Sequence, residues 1–184
     1  DGDGYPDVVT SHPFSDLAYV LVNARAGGFP PALGYLTGSG PRAVAIGDVD
    51  RDGRLDAVTA NAGGSYSVLR GNGAGGFSSI VTTPVAGLQP AAIAIGDMNN
   101  DNRLDLVVTS FDSGVLVLLG NGTGGFAPTF TFPMNDGPFG LALADMNGDG
   151  RLDAVVSSVS GGNVSVLLGN GAGGFAAMAS RQRV

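Results

Sequence analysis

Short apolar segments alternate with polar, glycine-rich turns along the whole chain. In residues 38–86 this alternation predicts four strands, over about residues 42–47, 55–61, 65–70 and 77–83. An acidic loop, a Gly63-Gly64 turn and an Asn72-Gly73 turn separate them. Short apolar segments joined by such tight turns are typical of antiparallel strands, so we expect one four-stranded sheet from these residues.

The pattern repeats at intervals of 49 and 48 residues. The segment Asp48-Val-Asp50-Arg-Asp52-Gly-Arg54-Leu-Asp56 recurs at residues 97–105 and 145–153, and residues 1–7 match it without its first two positions. A second marker, Gly-Asn-Gly-x-Gly-Gly-Phe, occurs in phase at residues 71–77, 120–126 and 169–175, with a degenerate copy at 23–29. Four strands with this period match a propeller blade better than a solenoid coil or a sandwich.

The sequence therefore predicts an all-β fold, a β-propeller of four-stranded antiparallel blades. We expect a single repeat domain over residues 1–184 with about 3.75 blades: a partial blade 1 at 1–37, then blade 2 at 38–86, blade 3 at 87–134 and blade 4 at 135–184. Blade 1 is expected to lack its innermost strand. The result would be an open arc whose apolar edges either belong to a longer polypeptide or drive self-association.

Composition narrows the classes of function. The chain has no Lys and no Glu, 9 Arg, 16 Asp and a net charge of −7. Scattered arginines on an acidic chain argue against nucleic-acid binding and favour binding of cations. There is no cysteine, and no apolar run reaches the roughly 18 residues of a membrane span, so we expect neither disulfides nor membrane insertion.

The acidic loops have the ligand pattern of a calcium site. Side chains at positions 1, 3, 5 and 9 and the carbonyl at position 7 place five oxygens around one centre. Of the 16 Asp residues, 13 lie at these positions, where they would repel one another without a cation. We predict three complete Ca²⁺ sites and one truncated site, with these ligands: Asp48, Asp50, Asp52, Arg54 (carbonyl) and Asp56; Asp97, Asn99, Asp101, Arg103 (carbonyl) and Asp105; Asp145, Asn147, Asp149, Arg151 (carbonyl) and Asp153; and Asp1, Asp3, Tyr5 (carbonyl) and Asp7.

The acidic loop, the Gly-Asn-Gly hairpin and the period together closely resemble the FG-GAP and VCBS repeats of integrin-α-like β-propellers. The resemblance covers essentially the whole chain. It implies calcium between the first and second strands of each blade, an extracellular or cell-surface setting, and usually seven blades, so that this chain would be part of a larger ring. The function implied is an interaction or adhesion module that presents loops to a protein or glycan partner.

Two other classes of function remain open. Some members of this repeat family bind sugars between blades, which makes a lectin an alternative, although the chain has no Trp on which a sugar could stack. Some polysaccharide lyases and dehydratases carry such propellers, so a non-catalytic fragment of such an enzyme is the third class. We expect no catalytic residues here, because the lone His12 is expected in a loop beside Pro13 with only Asp16 near it.

The aromatic residues fall into two groups. Those of the hairpin motif, Phe29, Phe77, Phe126 and Phe175, are expected to pack between blades. The aromatic residues outside the motif are the better candidates for a binding face: Tyr19, Tyr35, Tyr66, Phe111, Phe130, Phe132 and Phe139.

Replacing a position-9 aspartate by Ala is expected to remove one calcium site and little else.

Overall fold

The computed structural model describes residues 1–25 and 28–183, with the side chains of residues 128, 129, 177, 179–181 and 183 left out. Residues 26 and 27 of the degenerate hairpin copy lie outside this description. Within it the chain is all-β, and its strands in order are β1 (Val8–His12), β2 (Leu17–Leu21), β3 (Leu33–Leu36), β4 (Pro41–Gly47), β5 (Asp56–Asn61), β6 (Ser65–Gly71), β7 (Phe77–Pro84), β8 (Pro90–Gly96), β9 (Asp105–Ser110), β10 (Gly114–Gly120), β11 (Phe126–Phe132), β12 (Pro138–Ala144), β13 (Asp153–Ser158), β14 (Asn163–Gly169) and β15 (Phe175–Arg183).

The described strands form four antiparallel sheets, in the orders β1-β2-β3, β4-β5-β6-β7, β8-β9-β10-β11 and β12-β13-β14-β15. The four strands expected in blade 2 are confirmed to within one residue at each end. The sheets do not close into a ring, so the fold is a partial propeller, and the described residues of blade 1 form three strands. The first strands, β4, β8 and β12, neighbour one another along the inner edge of the arc.

The core lies between neighbouring sheets, where the two middle strands of blades 2 and 3 are buried on both faces. In β5 every residue is buried, and in β10 all but one are. One apolar cluster joins Val58 and Val68 of blade 2 to Leu106 and Leu118 of blade 3. A second joins blades 3 and 4, and a smaller one joins blades 1 and 2. By contrast, the outer strand β7 is largely exposed, as expected for the rim of a blade.

Three of the four motif phenylalanines pack between blades, as expected. Each stacks edge-on against an aromatic ring of the preceding blade, with centroid distances of 5.0 Å for Phe77 on Tyr35 and 5.6 Å for Phe126 on Tyr66. Phe175 lies 6.3 Å from the Phe130 and Phe132 rings alike. Phe29 is 48% exposed and has no such ring partner within the described residues.

The aromatic residues outside the motif mostly do not form a binding face, which corrects that expectation. Tyr35, Tyr66, Phe130 and Phe132 are the inter-blade partners just described, and Tyr19 packs edge-on against His12 at 4.8 Å. Only Phe111 and Phe139 of that group are largely exposed, at 42% and 54%. The most exposed aromatic ring is Phe14, which the sequence pattern did not single out.

The described residues contain no helix long and apolar enough to cross a membrane.

Candidate metal centre

The acidic loops connect the first and second strands of blades 2, 3 and 4, and their backbones turn at the same places. Position 6 has a positive φ in all three loops, 82° at Gly53, 61° at Asn102 and 81° at Gly150. Asn is the residue after Gly that best tolerates this left-handed conformation, which explains its presence in blade 3. Position 4 is also left-handed, at Arg51 and Asn100.

The position-1 carboxylates hold the loops in this shape. Asp48 accepts hydrogen bonds from the backbone N–H groups of Asp52, at 3.1 Å, and Gly53, at 2.9 Å. The corresponding bonds to Asp97 and Asp145 repeat this arrangement. At Asp145 the N–H of Gly150 is the main reason that the pKa of the carboxyl lies below its usual range. The loop backbone thus turns so that its N–H groups point toward the position-1 carboxylate.

The position-9 carboxylates are buried and anchor each loop to its own blade. One oxygen of Asp56 accepts the N–H of Val49 at 3.0 Å and the other accepts the N–H of Gly71 at 2.8 Å. Asp105 accepts from Met98 and Gly120, both at 2.8 Å. The same pair of bonds reaches Asp153 from residues 146 and 169. Each carboxylate therefore ties its loop to the following hairpin.

Burial acts against these anchoring carboxylates when they are charged. It raises the pKa of Asp56 and of Asp105, although the backbone hydrogen bonds to each carboxylate oppose the shift. The sequence pattern identified position 9 only as a ligand and missed this structural role. The clue was its place at the start of a buried strand. Replacing it by Ala is therefore expected to disturb the fold as well as the site, which corrects the expectation above.

Blade 2 brings three acidic side chains together. Carboxylate oxygens of Asp48, Asp50 and Asp56, one from each, all lie within 4.8 Å of one another, the one such group found among the described His, Cys, Asp and Glu side chains. In blades 3 and 4 position 3 is Asn99 or Asn147, which offers an amide oxygen instead. The structure thus gathers positions 1, 3 and 9 around one point in blade 2.

The position-5 carboxylates face the arginine two residues further on. Asp101 pairs with the Arg103 guanidinium at 2.5 Å and Asp149 with Arg151 at 2.7 Å, and Asp52 pairs with Arg54 in the same way. These arginine side chains are 43–49% exposed, so the ion pairs are of the weak, easily exchanged kind found at protein surfaces. In blade 2 the Asp52 carboxylate thus faces its arginine and does not belong to the group of three acids described above. In blades 3 and 4 the position-5 carboxylate also accepts a hydrogen bond from the position-3 amide, at 2.9 Å.

A further arginine distinguishes blade 2 from blades 3 and 4. Arg70 lies 3.4 Å from the Asp50 carboxylate and donates a 2.6 Å hydrogen bond to the Thr123 carbonyl of blade 3. Leu119 and Leu168 occupy the matching position in the blades whose position 3 is Asn. The extra negative charge in blade 2 is thus accompanied by an extra positive one.

The truncated loop of blade 1 keeps part of the position-9 anchor. One oxygen of Asp7 accepts the Asn23 N–H at 2.8 Å. Asp3 pairs with Arg25 at 2.9 Å. The pKa of Asp3 lies below its usual range, mainly because its carboxylate accepts the Tyr5 N–H and secondly because it accepts a hydrogen bond from Arg25. Asp3, a predicted ligand of this loop, therefore faces a cationic partner.

His12 and Asp16 are directed to different neighbours. The His12 ring contacts the Thr10 hydroxyl at 3.1 Å, whereas the Asp16 carboxylate accepts the Gly40 N–H at 2.7 Å. The Ser15 hydroxyl donates to the backbone carbonyl of His12. The arrangement lacks a hydrogen bond between base and orienting acid within the described residues.

Comparisons with known proteins identify a repeat family and a shared fold. A family model described as FG-GAP-like repeat matches residues 1–59, 48–108 and 97–156. No curated protein sequence is matched. Among solved structures the chain is similar to BBS1N in complex with ARL6DN, with a TM-score of 0.61 and 16% identity over 92% of this chain and 48% of that one. It is also similar to the V. cholerae biofilm matrix protein Bap1, with a TM-score of 0.63 and 18% identity over 100% of this chain and 27% of that one.

A third similar structure is a protein of unknown function from Bacteroides caccae, with a TM-score of 0.56 and 16% identity over 92% of this chain and 55% of that one. Identities this low establish the shared fold alone. The chain thus spans about half or less of the length of these three structures.

Proposed function

The chain belongs to the FG-GAP-like repeat family, and from this premise we propose that it is a calcium-binding, non-catalytic interaction module of the extracellular type. The observation that carries the proposal is the grouping of the Asp48, Asp50 and Asp56 carboxylates within 4.8 Å. Calcium binds oxygens at 2.3–2.6 Å, so ligands on opposite sides of one ion lie up to about 5 Å apart. The spacing suits a single calcium ion.

Repetition strengthens the proposal. The position-1 and position-9 carboxylates of blades 3 and 4 make the same backbone hydrogen bonds as those of blade 2, so a site formed in one loop is expected in all three. In each loop the ligands are an acid at positions 1, 5 and 9, an acid or amide at position 3, and the carbonyl of Arg54, Arg103 or Arg151. Oxygen ligands of this kind favour calcium over transition metals.

Calcium would stabilise the arc as well as fill the loops. Extracellular modules bind it with dissociation constants of about 10⁻⁴–10⁻³ M, and at ten times that concentration one site adds roughly 1.4 kcal/mol. Three sites would add about 4 kcal/mol, a large share of the stability of an ordinary domain. This affinity range matches a setting outside the cell. A similar fold occurs in the biofilm matrix protein Bap1, and a protein or glycan is the partner that we propose for the loops.

Titration calorimetry of the metal-free chain with calcium tests the proposal. We expect three sites in blades 2, 3 and 4, and little heat with magnesium, which demands a smaller and more regular octahedron. Asp145→Asn, which changes a ligand in an exposed loop, should reduce the stoichiometry by one. Asp112→Asn, an acid outside the acidic loops, is the matched control and should leave three sites. A wild-type chain that takes up no calcium at millimolar concentrations would show that the loops are ordinary turns.

A further inference from the structure

Three arginines from two neighbouring blades meet at one hairpin of blade 3, the turn between β10 and β11. A Cβ added to Gly122 in this hairpin would lie 2.9 Å from Arg103 Cδ and 3.3 Å from Arg51 Cδ, so both arginine stems reach the same point. Arg70 donates its 2.6 Å hydrogen bond to the Thr123 carbonyl of the same hairpin. We call Arg51, Arg70 and Arg103 the arginine cluster.

The matching hairpin of blade 4 has one such arginine instead of three. A Cβ added to Gly171 would lie 2.8 Å from Arg151 Cδ, but Asn100 Nδ2, at 3.6 Å, takes the place of Arg51. The third arginine is replaced by Leu119. Since both hairpins follow an acidic loop of the same pattern, the arginine cluster is an addition to the repeat and not a part of the calcium-loop motif.

Arg51 is the member of the cluster without a partner. Its guanidinium makes no ion pair or hydrogen bond with the described residues, whereas Arg70 and Arg103 pair with Asp50 and Asp101. Its φ is 64°, a left-handed value that suits the glycine or asparagine at this position in blades 4 and 3 better than an arginine. Contacts within the described part of the chain thus give no reason for an arginine here, and an external anion does.

The local charge determines whether an anion can approach. The acidic loops of blades 2 and 3 contain seven aspartates, and the arginines of these loops together with Arg70 number four, so the local charge is −3. One calcium ion in each loop would change it to +1. Carboxylates that bind calcium also hold Arg70 and Arg103 less firmly, because their ion pairs are of the weak surface kind.

We propose that the arginine cluster binds the oxyanion groups, sulfate or carboxylate, of an acidic glycan when calcium occupies the loops of blades 2 and 3. The proposal rests on the proposed function. A guanidinium donates two parallel hydrogen bonds to one oxyanion, which makes arginine the usual residue for this task. Arg51 and Arg103 form a pair for one such group beside Gly122. Arg70, which lies 3.1 Å from the place of a Cβ on Gly124, serves a second.

The surroundings of the cluster favour a glycan over an acidic peptide. The side chains next to it that are exposed are polar, namely Asn102, Asn121 and Thr123. Peptide and protein partners are usually anchored by large apolar or aromatic side chains. Amide and hydroxyl groups instead form hydrogen bonds with the hydroxyl groups of a sugar. Two cationic points on one hairpin also fit a chain with several charges better than a single ion.

Fluorescence anisotropy with a labelled heparin tetrasaccharide tests the proposal. We expect saturable binding in millimolar calcium and an affinity about tenfold or more lower in chelator, because the local charge is then negative. Arg51→Gln should lower the affinity in calcium about tenfold, the effect of losing one charge-assisted interaction. Circular dichroism checks that the variant is folded.

Arg42→Gln is the matched control. Arg42 is exposed in β4, and it makes no ion pair with the described residues, as Arg51 does not. It lies at the end of β4 away from the acidic loop, and the variant loses the same charge. We expect it to bind the tetrasaccharide as wild type does.

Calcium titration of the same samples by calorimetry separates this proposal from the proposed function. If the wild-type chain takes up calcium but does not bind the tetrasaccharide, the glycan site alone is wrong. If it takes up no calcium, both proposals are wrong.

Four further results would overturn the glycan site. The first is equal affinity in calcium and in chelator. The second is equal weakening by Arg51→Gln and Arg42→Gln, which would mean attraction to the total charge of the chain. The third is equal affinity for a labelled hexa-aspartate peptide, which would make the partner an acidic peptide. The fourth is displacement of the tetrasaccharide by inorganic sulfate at the same concentration of sulfate groups, which would reduce the site to one for a single ion.

Discussion

Asp105→Ala should destabilise the chain even when no calcium is present. The variant removes the acceptor of two backbone N–H groups, those of Met98 and Gly120, each 2.8 Å from a carboxylate oxygen that is 0% exposed. Leaving a buried donor unpaired costs about 1–3 kcal/mol, so two cost about 2–6 kcal/mol. Part of this cost is offset, because the variant also removes a buried carboxylate, a group whose pKa burial raises. We expect a net loss of about 2–4 kcal/mol.

Urea unfolding in chelator and in saturating calcium separates the anchoring role from the ligand role. The matched variant is Asp97→Asn, at position 1 of the same loop, where the amide oxygen can still accept the Asp101 N–H. We expect Asp97→Asn to lower the free energy of unfolding by less than about 1 kcal/mol in chelator. In calcium at ten times the dissociation constant, the loss relative to the wild type should be larger by about 1.4 kcal/mol. Asp105→Ala should show its main loss in both conditions.

The anchoring role is wrong if the free energy of unfolding of Asp105→Ala in chelator lies within about 0.5 kcal/mol of the wild-type value, because two unpaired buried donors cannot cost so little. The ligand role is wrong if Asp97→Asn shows the same difference from the wild type in chelator and in calcium. A change in the urea m-value in either variant would indicate loss of two-state behaviour, and the midpoints would then be compared instead.

Tyr66→Phe should cost about 1–3 kcal/mol in urea unfolding and leave calcium binding unchanged, because the hydroxyl bridges both backbone groups of Phe126 in the next blade, at 2.9 and 3.1 Å; a wild-type midpoint would show that this bridge does not hold the blades together. Calcium affinity measured by calorimetry should fall as the pH is lowered toward the pKa values of Asp56 and Asp105, which burial raises above the usual range, since a carboxyl group that has taken up a proton must lose it before the ion binds; pH-independent affinity would contradict this. Arg70→Leu should tighten calcium binding in blade 2 severalfold, because it removes a cation 3.4 Å from a ligand carboxylate; unchanged or weaker binding would show that this arginine does not compete with the ion.

Several features of the site were accessible from sequence because they depend on local chemistry. The repeat period, the strands of blade 2 and the positions of the acidic loops follow from apolar segments separated by turn residues. The left-handed conformation of Asn102 likewise has a local cause, since Asn102 aligns with Gly53 and Gly150 and Asn tolerates a positive φ. None of these inferences needed a contact between distant parts of the chain.

Other features depended on how neighbouring sheets stack. Tyr66 and Phe126 are 60 residues apart, and only the packing of blade 2 on blade 3 turns a candidate binding residue into a buried bridge. Arg70 reaches both its own acidic loop and the next blade for the same reason. A repeat pattern identifies which residues are equivalent, but it does not show which equivalent residues meet the same neighbours.

Residue types within about ten positions of one another are enough to predict the all-β repeat, the acidic loops and the turn residues. Packing between strands and sheets, by contrast, makes Asp56, Asp105 and Asp153 the anchors of their loops and makes the Tyr66 hydroxyl a bridge between blades 2 and 3. The reason is physical. Burial and hydrogen bonds between strands depend on which strand or sheet lies alongside, and a repeat pattern does not specify that neighbour.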